Sequence, residues 1–383
     1  MANTLTSLIP ELYSNLDVVS RELVGLIPAV TLDPMASRAA LNQTVRTFAA
    51  PAATASDITP GVAAPDTGDQ TIAPGSLSIT KARKVPIRWN GDEELSVAGG
   101  FGAQQIRAAQ IQQAFRTLVN EMETDLAALH VYASRANGTA GTTPFATAGD
   151  YTAASLTRKI LVDNGSGESD LQLVIDSTAG ANIRGKQADA DKAGTTSILR
   201  QGVLLDTNGM QVRESAQIVT FTKGTASGAT TNAAGYAVGA TTLTLASAGT
   251  GTILAGDVIT FAGDSNQYVV TSGDADVSGG GTITIAAPGL RVAMSAATKA
   301  ITVVGNSARN MAFRRSAIVL ATRLPALPSS GDAAVDRTVV TDPRSGLSFE
   351  VAMYPQYRQM YWEVAACWGV KAVKPEHMAL LLG

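Results

Sequence analysis

Residues 101–135 read FGAQQIRAAQIQQAFRTLVNEMETDLAALHVYASR and contain no proline and, after residue 102, no glycine. Apolar side chains recur here at intervals of three or four residues, at Ile111, Phe115, Leu118, Met122, Leu126 and Leu129. This spacing lays one apolar stripe along a helix whose other faces are polar. At about 1.5 Å per residue the helix would be roughly 50 Å long. We therefore expect a spine helix along which the other segments attach.

The composition of the 383-residue chain limits its class. Hydrophobic residues make up 45% and charged residues only 16%, with 36 glycines, which suits a large core, many turns and a surface covered by partners. The net charge of −3 gives no general attraction to nucleic acid, so any DNA contact must be local and weak. The single cysteine excludes an intrachain disulfide. Without a basic signal sequence or a membrane-length apolar run, we expect a protein of the reducing cytoplasm.

Two segments before the spine helix are predicted to extend from the body. Residues 7–27 have the apolar period of a helix, with Ser7 as its cap and Gly25 and Pro28 at its end. This amphipathic helix needs a surface to lie against, either the chain's own core or a neighbouring subunit. Residues 43–88 are predicted to form a hairpin arm, with strand-like stretches on both sides of a tip of about 25 residues rich in Ala, Pro, Thr and Gly.

The next two regions of the chain differ in their sequence patterns. Residues 146–216 alternate between helix and strand, with helices at 153–163 and 197–210 and strands at 171–176 and 210–218, which indicates an α+β or α/β layer. Residues 217–306 contain only seven charged side chains and fourteen glycines in short alternating runs, which predicts an inserted all-β domain. The predicted strands of this domain are TLTLA (242–246), DVITFAG (257–263), YVVTSG (268–273), TITIAA (282–287) and AITVVG (300–305).

The last part of the chain is predicted to close the main sheet. Residues 308–323, ARNMAFRRSAIVLATR, are expected to be helical. Alternating side chains at 347–353 and again at 362–370 predict two strands of a hairpin.

No catalytic or metal-binding set is found in the sequence. The segment from Gly180 to Lys186 has the spacing of a phosphate-binding loop, but Gln187 stands where a Ser or Thr must bind magnesium, so a turn with a solvated lysine is favoured. Asp189 and Asp191 begin like a calcium loop whose later ligands are missing. Asp274 and Asp276 lie at a polar hairpin tip, where casual ion binding is the only role considered. No cofactor is expected.

Three further side chains have structural interpretations. His130, at the end of the spine helix, is expected to cap carbonyl groups there, and with His377 it makes too few ligands for zinc. Cys367 lies on a predicted strand, where a buried inert thiol is favoured over a nucleophile.

Charged residues near the end of the hairpin arm are candidate intersubunit contacts. The basic ones are expected to pair with the acidic ones on this or an adjacent subunit, while a minority of basic side chains could instead meet phosphates. The candidates are Lys81, Arg83, Lys84, Arg88, Asp92, Glu93 and Glu94.

The order of these parts resembles the major capsid proteins of tailed bacteriophages, which have the Hong Kong 97 type fold. Within them it is similar to the podoviral coat protein family of Salmonella phage P-twenty-two. The stretches that carry the resemblance are LIPELYSNLDVVSRELVGLIPAV (8–30), ITKARKVPIRWNGDEELSV (79–97), RNMAFRRSAIVLATR (309–323), DPRSGLSFEV (342–351) and WGVKAVKPE (368–376). The resemblance spans nearly the whole chain, and the order of the stretches carries more weight than any one of them.

The resemblance implies an α+β capsid fold and a division of the chain. The implied parts are an N-terminal arm (1–42), an extended loop (43–92), a peripheral domain with the spine helix (93–145), an axial domain (146–216), an inserted barrel-like β-domain (217–306) and a closing axial and peripheral segment (307–383). It also implies a structural virion protein, not an enzyme, that assembles in the host cytoplasm as hexamers and pentamers of an icosahedral shell. The implied partners are scaffolding protein, portal protein and packaged double-stranded DNA, contacted without sequence specificity; a decoration protein is left open.

Two alternatives remain beside the capsid interpretation. An encapsulin-like compartment shell would share the fold, although the inserted β-domain and the long N-terminal arm argue against it. A nucleotide-dependent enzyme would be built on residues 180–186, and loss of an ATPase activity in Lys186→Ala would support it.

Overall fold

A computed structural model describes residues 25–48, 55, 57–58, 60, 74–98, 103–147, 150–186, 206–342 and 346–383. Its α-helices are Gly91–Ala98 (α1), Ala103–Ala127 (α2), Thr152–Asp163 (α3) and Ser177–Lys186 (α4). The strands are Thr31–Ala39 (β1), Thr44–Phe48 (β2), Pro74–Ser78 (β3), Lys81–Asn90 (β4), Arg135–Asn137 (β5), Leu171–Ile175 (β6), Met210–Glu214 (β7), Thr220–Phe221 (β8), Thr242–Leu245 (β9), Val258–Phe261 (β10), Gln267–Ser272 (β11), Gly281–Ile285 (β12), Ile301–Val303 (β13), Ser307–Arg314 (β14), Ile318–Pro325 (β15), Asp336–Thr341 (β16), Ser348–Gln356 (β17), Gln359–Ala372 (β18) and Met378–Leu382 (β19). The predicted α+β class is confirmed.

The spine helix is α2, and it is shorter than the sequence predicted. Its 25 residues span about 38 Å, and a 3₁₀ turn, Ala128–Tyr132, follows it. The predicted extension to residue 135 is wrong because the chain from Arg135 leaves the helix to pair in parallel with β19, where Ala379 lies opposite Arg135. The 3₁₀ turn still buries Leu129, so the apolar period continues past the last α-helical residue.

The apolar stripe of the spine helix is buried along its whole length, as predicted. Its members are Ile111, Phe115, Leu118, Met122, Leu126 and Leu129, none more than 7% exposed. They pack on a six-stranded sheet in the order β1-β15-β18-β17-β16, in which β4 also pairs with β18. Phe115 meets Phe349 of β17 edge to face, with ring centroids 5.2 Å apart. The C-terminal hairpin that closes this sheet is confirmed as β17 and β18.

Residues 308–323 are not helical, contrary to the prediction. They form β14 and β15, joined by the 3₁₀ turn Arg315–Ala317. β14 pairs with β6 and β19, and β15 pairs with β1 and β18, so both strands lie inside sheets and are buried on both faces. A strand buried on both faces loses the polar alternation that would separate it from a helix.

The second large sheet runs β13-β10-β11-β5-β19-β14-β6-β7, with β12 and β9 joined through β11 and β8 paired with β14. The five strands predicted between 242 and 305 are confirmed as β9 to β13, and they enclose a hydrophobic core of their own. This core is separate from the one that α3 and α4 form with β6, β7, β14 and β19. The antiparallel pairing of β11 with β5 connects the inserted strands to the body.

The remaining predictions fall partly outside the described residues. The hairpin arm is confirmed at its base, where β2 and β3 pair antiparallel, while most of its tip is outside the description. The predicted helix at 153–163 and the strand at 171–176 are confirmed as α3 and β6. The strand predicted at 210–218 is confirmed only as far as Glu214, where β7 ends. The predicted helices at 7–27 and 197–210, and the residues Asp189 and Asp191, lie wholly or mostly outside the description.

Candidate functional site

The inner face of β4 attaches the hairpin arm to the spine helix through ion pairs. Lys81 Nζ lies 3.0 Å from Glu121 Oε1 and 2.8 Å from Asp125 Oδ1, and Arg83 Nε lies 3.1 Å from Glu121 Oε1. Burial by itself lowers the pKa of Lys81, but the hydrogen bonds to Asp125 and Glu121 more than offset it and raise that pKa. Trp368 Nε1 donates to Asp125 Oδ2 at 2.8 Å, which fixes this carboxylate between the helix and β18.

The outer face of β4 carries a second pair and one exposed cation. Lys84 Nζ lies 2.9 Å from Glu363 Oε2, and this hydrogen bond raises the pKa of Lys84. Arg88 is exposed, and among the described residues it makes no hydrogen bond or ion pair. Three of the four basic candidates therefore have partners within the chain, at acidic residues other than 92–94.

Two of the three acidic candidates also act within the chain. Glu93 and Asn90 form a capping box at the start of α1: Glu93 N donates to Asn90 Oδ1 at 2.7 Å, and Asn90 N donates to Glu93 Oε2 at 2.9 Å. Glu94 Oε1 accepts from Arg107 Nη2 at 2.8 Å. Asp92 is exposed and has no such partner in the described part of the chain. Arg88 and Asp92 are thus the two candidates left available for another molecule.

A buried carboxylate that the sequence analysis missed anchors the start of the described chain. Glu123, only 5% exposed, accepts from Leu26 N at 2.9 Å, Ile27 N at 2.8 Å and Ser215 Oγ at 2.8 Å. A Cβ at position 25 would lie 2.5 Å from Glu123 Oε2, so Gly25 is required by this close approach. The sequence could have indicated that Glu123 is buried, since Glu123 lies on the same buried face of the helix as Met122 and Leu126.

We expect Glu123→Gln to lower the free energy of unfolding by about 1–3 kcal/mol. The amide nitrogen that replaces one carboxylate oxygen cannot accept from the backbone N–H groups of residues 26 and 27, so at least one buried donor loses its acceptor. Denaturant unfolding of the two proteins measures the difference. As a control, Glu121→Gln changes a part-exposed carboxylate on the same helix and should cost less. Equal costs would contradict the anchoring role.

The segment that resembled a phosphate-binding loop is helical, which corrects the predicted turn. Ser177–Lys186 is α4, and Gly180 lies within it, beside the Glu214 side chain. Backbone N–H groups inside a helix are bonded to the preceding turn, so they cannot surround a phosphate as a loop does. The nucleotide-binding hypothesis therefore loses its geometric basis at these residues.

The interpretations of Cys367 and His130 are confirmed. Cys367 is 1% exposed on β18, and burial raises the pKa of its thiol to about 11, which keeps it protonated and unreactive near neutral pH. His130 Nδ1 lies 3.1 Å from the Ala127 carbonyl oxygen, at the end of the spine helix. No group of three or more His, Cys, Asp or Glu side chains in the described residues is arranged to hold a metal ion. None of the described helices has the length and apolar character needed to cross a membrane.

Comparisons with known proteins give only structural likenesses, since no protein-family model and no curated protein matches the chain. The capsid structure of cyanophage P-SCSP1u is similar, with 12% identity and a TM-score of 0.47 over 92% of this chain and 86% of that one. The mature capsid of bacteriophage PhiM1 has 11% identity and a TM-score of 0.46 over 92% and 85%. A virus-like particle from Pyrococcus furiosus has 8% identity and a TM-score of 0.43 over 97% and 98%.

Proposed function

We propose that the chain is a capsid subunit of the Hong Kong 97 type that assembles into an icosahedral shell around double-stranded DNA. The observation that carries the proposal is the hairpin arm. Its strands β2 and β3 pair with each other and with no other described strand. A two-stranded ribbon is marginally stable in water. Its base is supported by the chain's own sheet, where Leu77 is buried with Val319 and Cys367, and we propose that neighbouring subunits support the part beyond this base.

The attachment of the arm fits the same role. Lys81 and Arg83 hold β4, the last strand of the arm, against the spine helix, while β18 pairs with β4 over ten residues, from Lys81 to Asn90. An arm on a rigid base can reach a neighbour without disturbing the core of its own subunit. Many modest contacts of this kind let wrong contacts dissociate, while the closed shell is held by their number.

The finer proposals extend this role to the division of the chain and its partners. The arm (43–92), the spine region (93–145), the axial parts (146–216 and 307–383) and the inserted β-domain (217–306) would be the units of one shell subunit. Hexamers and pentamers of the chain would form with a scaffolding protein and a portal protein in the host cytoplasm. Contact with packaged DNA would be made through phosphates alone.

We further propose that Arg88 of one subunit pairs with an acidic residue of its neighbour, with Asp92 the first choice because its carboxylate is available. Arg88→Asp alone and Asp92→Arg alone should each reduce the fraction of chains in particles severalfold, and the double swap should restore it. Because both side chains are exposed, each single change should alter the free energy of unfolding by less than about 0.5 kcal/mol. Unchanged assembly in both single variants would refute this pairing.

Sedimentation of the expressed chain, with its scaffolding protein if required, tests the proposed function. We expect a discrete, fast-sedimenting particle composed mainly of this chain. A particle of this chain loaded with an enzyme and free of DNA would favour the compartment alternative.

A further inference from the structure

Two large apolar side chains are exposed where α1 meets the end of the six-stranded sheet. Tyr357, in the turn between β17 and β18, is 87% exposed, and Leu95 of α1 is 77% exposed. Apart from Ile58, no described large apolar side chain is more exposed. Gly91 N donates to the Arg358 carbonyl oxygen at 3.2 Å, so the start of α1 lies against this turn. Leu95 follows about 6 Å along the helix axis, within reach of a partner that covers Tyr357.

The turn that presents Tyr357 is not built for its own stability. Gln356 pairs with Gln359, so Tyr357 and Arg358 form a two-residue turn. Arg358 has a φ of 55°, a left-handed conformation that glycine and asparagine adopt more readily. The Arg358 guanidinium carbon lies 5.7 Å from the centroid of the Tyr357 ring, which is a cation–π contact. The turn thus carries two large side chains where small residues would fold more easily, and an external contact explains them.

The charges beside this turn have both signs. Arg88 and Asp92 are exposed and make no hydrogen bond or ion pair among the described residues. Arg88 lies opposite Tyr361 in the pairing of β4 with β18, and Asp92 is in the first turn of α1. A partner with charges of one sign would leave one of the two unpaired. A second copy of the chain supplies an Asp92 for Arg88 and an Arg88 for Asp92, so the charges favour a second copy as the partner.

We propose that Arg88, Asp92, Leu95 and Tyr357 form a contact between two copies of the chain, in which Tyr357 of one copy packs on Leu95 of the other. The contact has the composition of a protein interface, with an aromatic anchor and apolar area at its centre and charges at its rim. Burial of the apolar area supplies most of the affinity, and the charge pair orients the two copies. The contact rests on the proposed function, because it forms when copies of the chain assemble.

Disulfide trapping tests this contact. A chain with Leu95→Cys and an isotope-labelled chain with Tyr357→Cys are mixed before assembly and oxidised. We expect a disulfide between the two chains that joins positions 95 and 357, identified by mass spectrometry. The native Cys367 is 1% exposed and does not compete. As the control, Val238→Cys, at a position 59% exposed in the inserted region, replaces Leu95→Cys and should give no such product.

Polar substitutions measure what the two apolar side chains contribute. Tyr357→Ser and Leu95→Ser should each lower the fraction of chains in particles severalfold, because truncating an anchor weakens every copy of a repeated contact. Both side chains are exposed, so the midpoint of thermal unfolding of the subunit should not change. Val238→Ser is the matched control and should assemble like the unchanged chain. Normal assembly of both Tyr357→Ser and Leu95→Ser would overturn the proposal.

The disulfide is measured whether or not particles form, which separates this contact from the proposed function. Particles without the disulfide between positions 95 and 357 would refute the contact and leave the shell role standing. The disulfide without particles would support the contact and count against the shell. A monomer that forms neither product would contradict both.

Discussion

Deleting residues 52–74 should leave a folded, soluble subunit that forms no shells. The deletion removes the tip of the hairpin arm and the first residue of β3, but none of the residues of the core between the spine helix and the sheet. The ion pairs of Lys81 with Glu121 and Asp125 also remain, so β4, the last strand of the arm, keeps its attachment. Because the contacts between neighbours would be lost while the subunit core is untouched, the effect on assembly should be close to complete.

Thermal unfolding and electron microscopy of the same preparation measure the two halves of this prediction. A matched control replaces residues 52–74 by a Gly-Ser linker of equal length. If the tip makes specific contacts, the linker variant should also fail to assemble. Intact shells from the deletion variant would refute the role of the arm.

Replacing Phe115 by alanine should lower the free energy of unfolding by about 3–5 kcal/mol. The side chain is fully buried at the middle of the spine helix and packs edge to face on Phe349 of the sheet. Its removal leaves a cavity where helix and sheet meet, and neither element can move to fill it without losing its other contacts. Of the single substitutions considered, we expect this one to have the largest effect on stability.

Denaturant unfolding measures this cost, and the matched control is Gln113→Ala, an exposed position on the same helix. The control should change the free energy of unfolding by less than about 0.5 kcal/mol. A cost below about 1 kcal/mol for Phe115→Ala would mean that the packing of the helix on the sheet contributes little to stability.

The sequence predicted the elements whose pattern is local. The stripe from Ile111 to Leu129 could be read because one face of the helix is buried and the others are polar. The strands β9 to β13 could be read because glycine-rich turns separate short alternating runs. The end of the spine helix could not be predicted from the sequence. The chain leaves the helix to pair Arg135 with Ala379, and this pairing depends on a strand more than two hundred residues later in the chain.

Less of the candidate site than of the fold could be predicted from the sequence. The sequence predicted that Lys81, Arg83 and Lys84 pair with residues 92–94 or with an adjacent subunit, but it could not show that Glu121, Asp125 and Glu363 are their partners within the chain. These pairs join positions far apart in the chain, and their geometry exists only after the helix has packed on the sheet. The role of Glu123 depends in the same way on where residues 25–27 lie.

Cryo-electron microscopy of the expressed full-length chain, with its scaffolding protein if needed, tests the central proposal most directly. We expect closed shells of icosahedral symmetry in which the hairpin arm of each subunit lies on a neighbouring subunit. A monodisperse monomer under all of these conditions would contradict it.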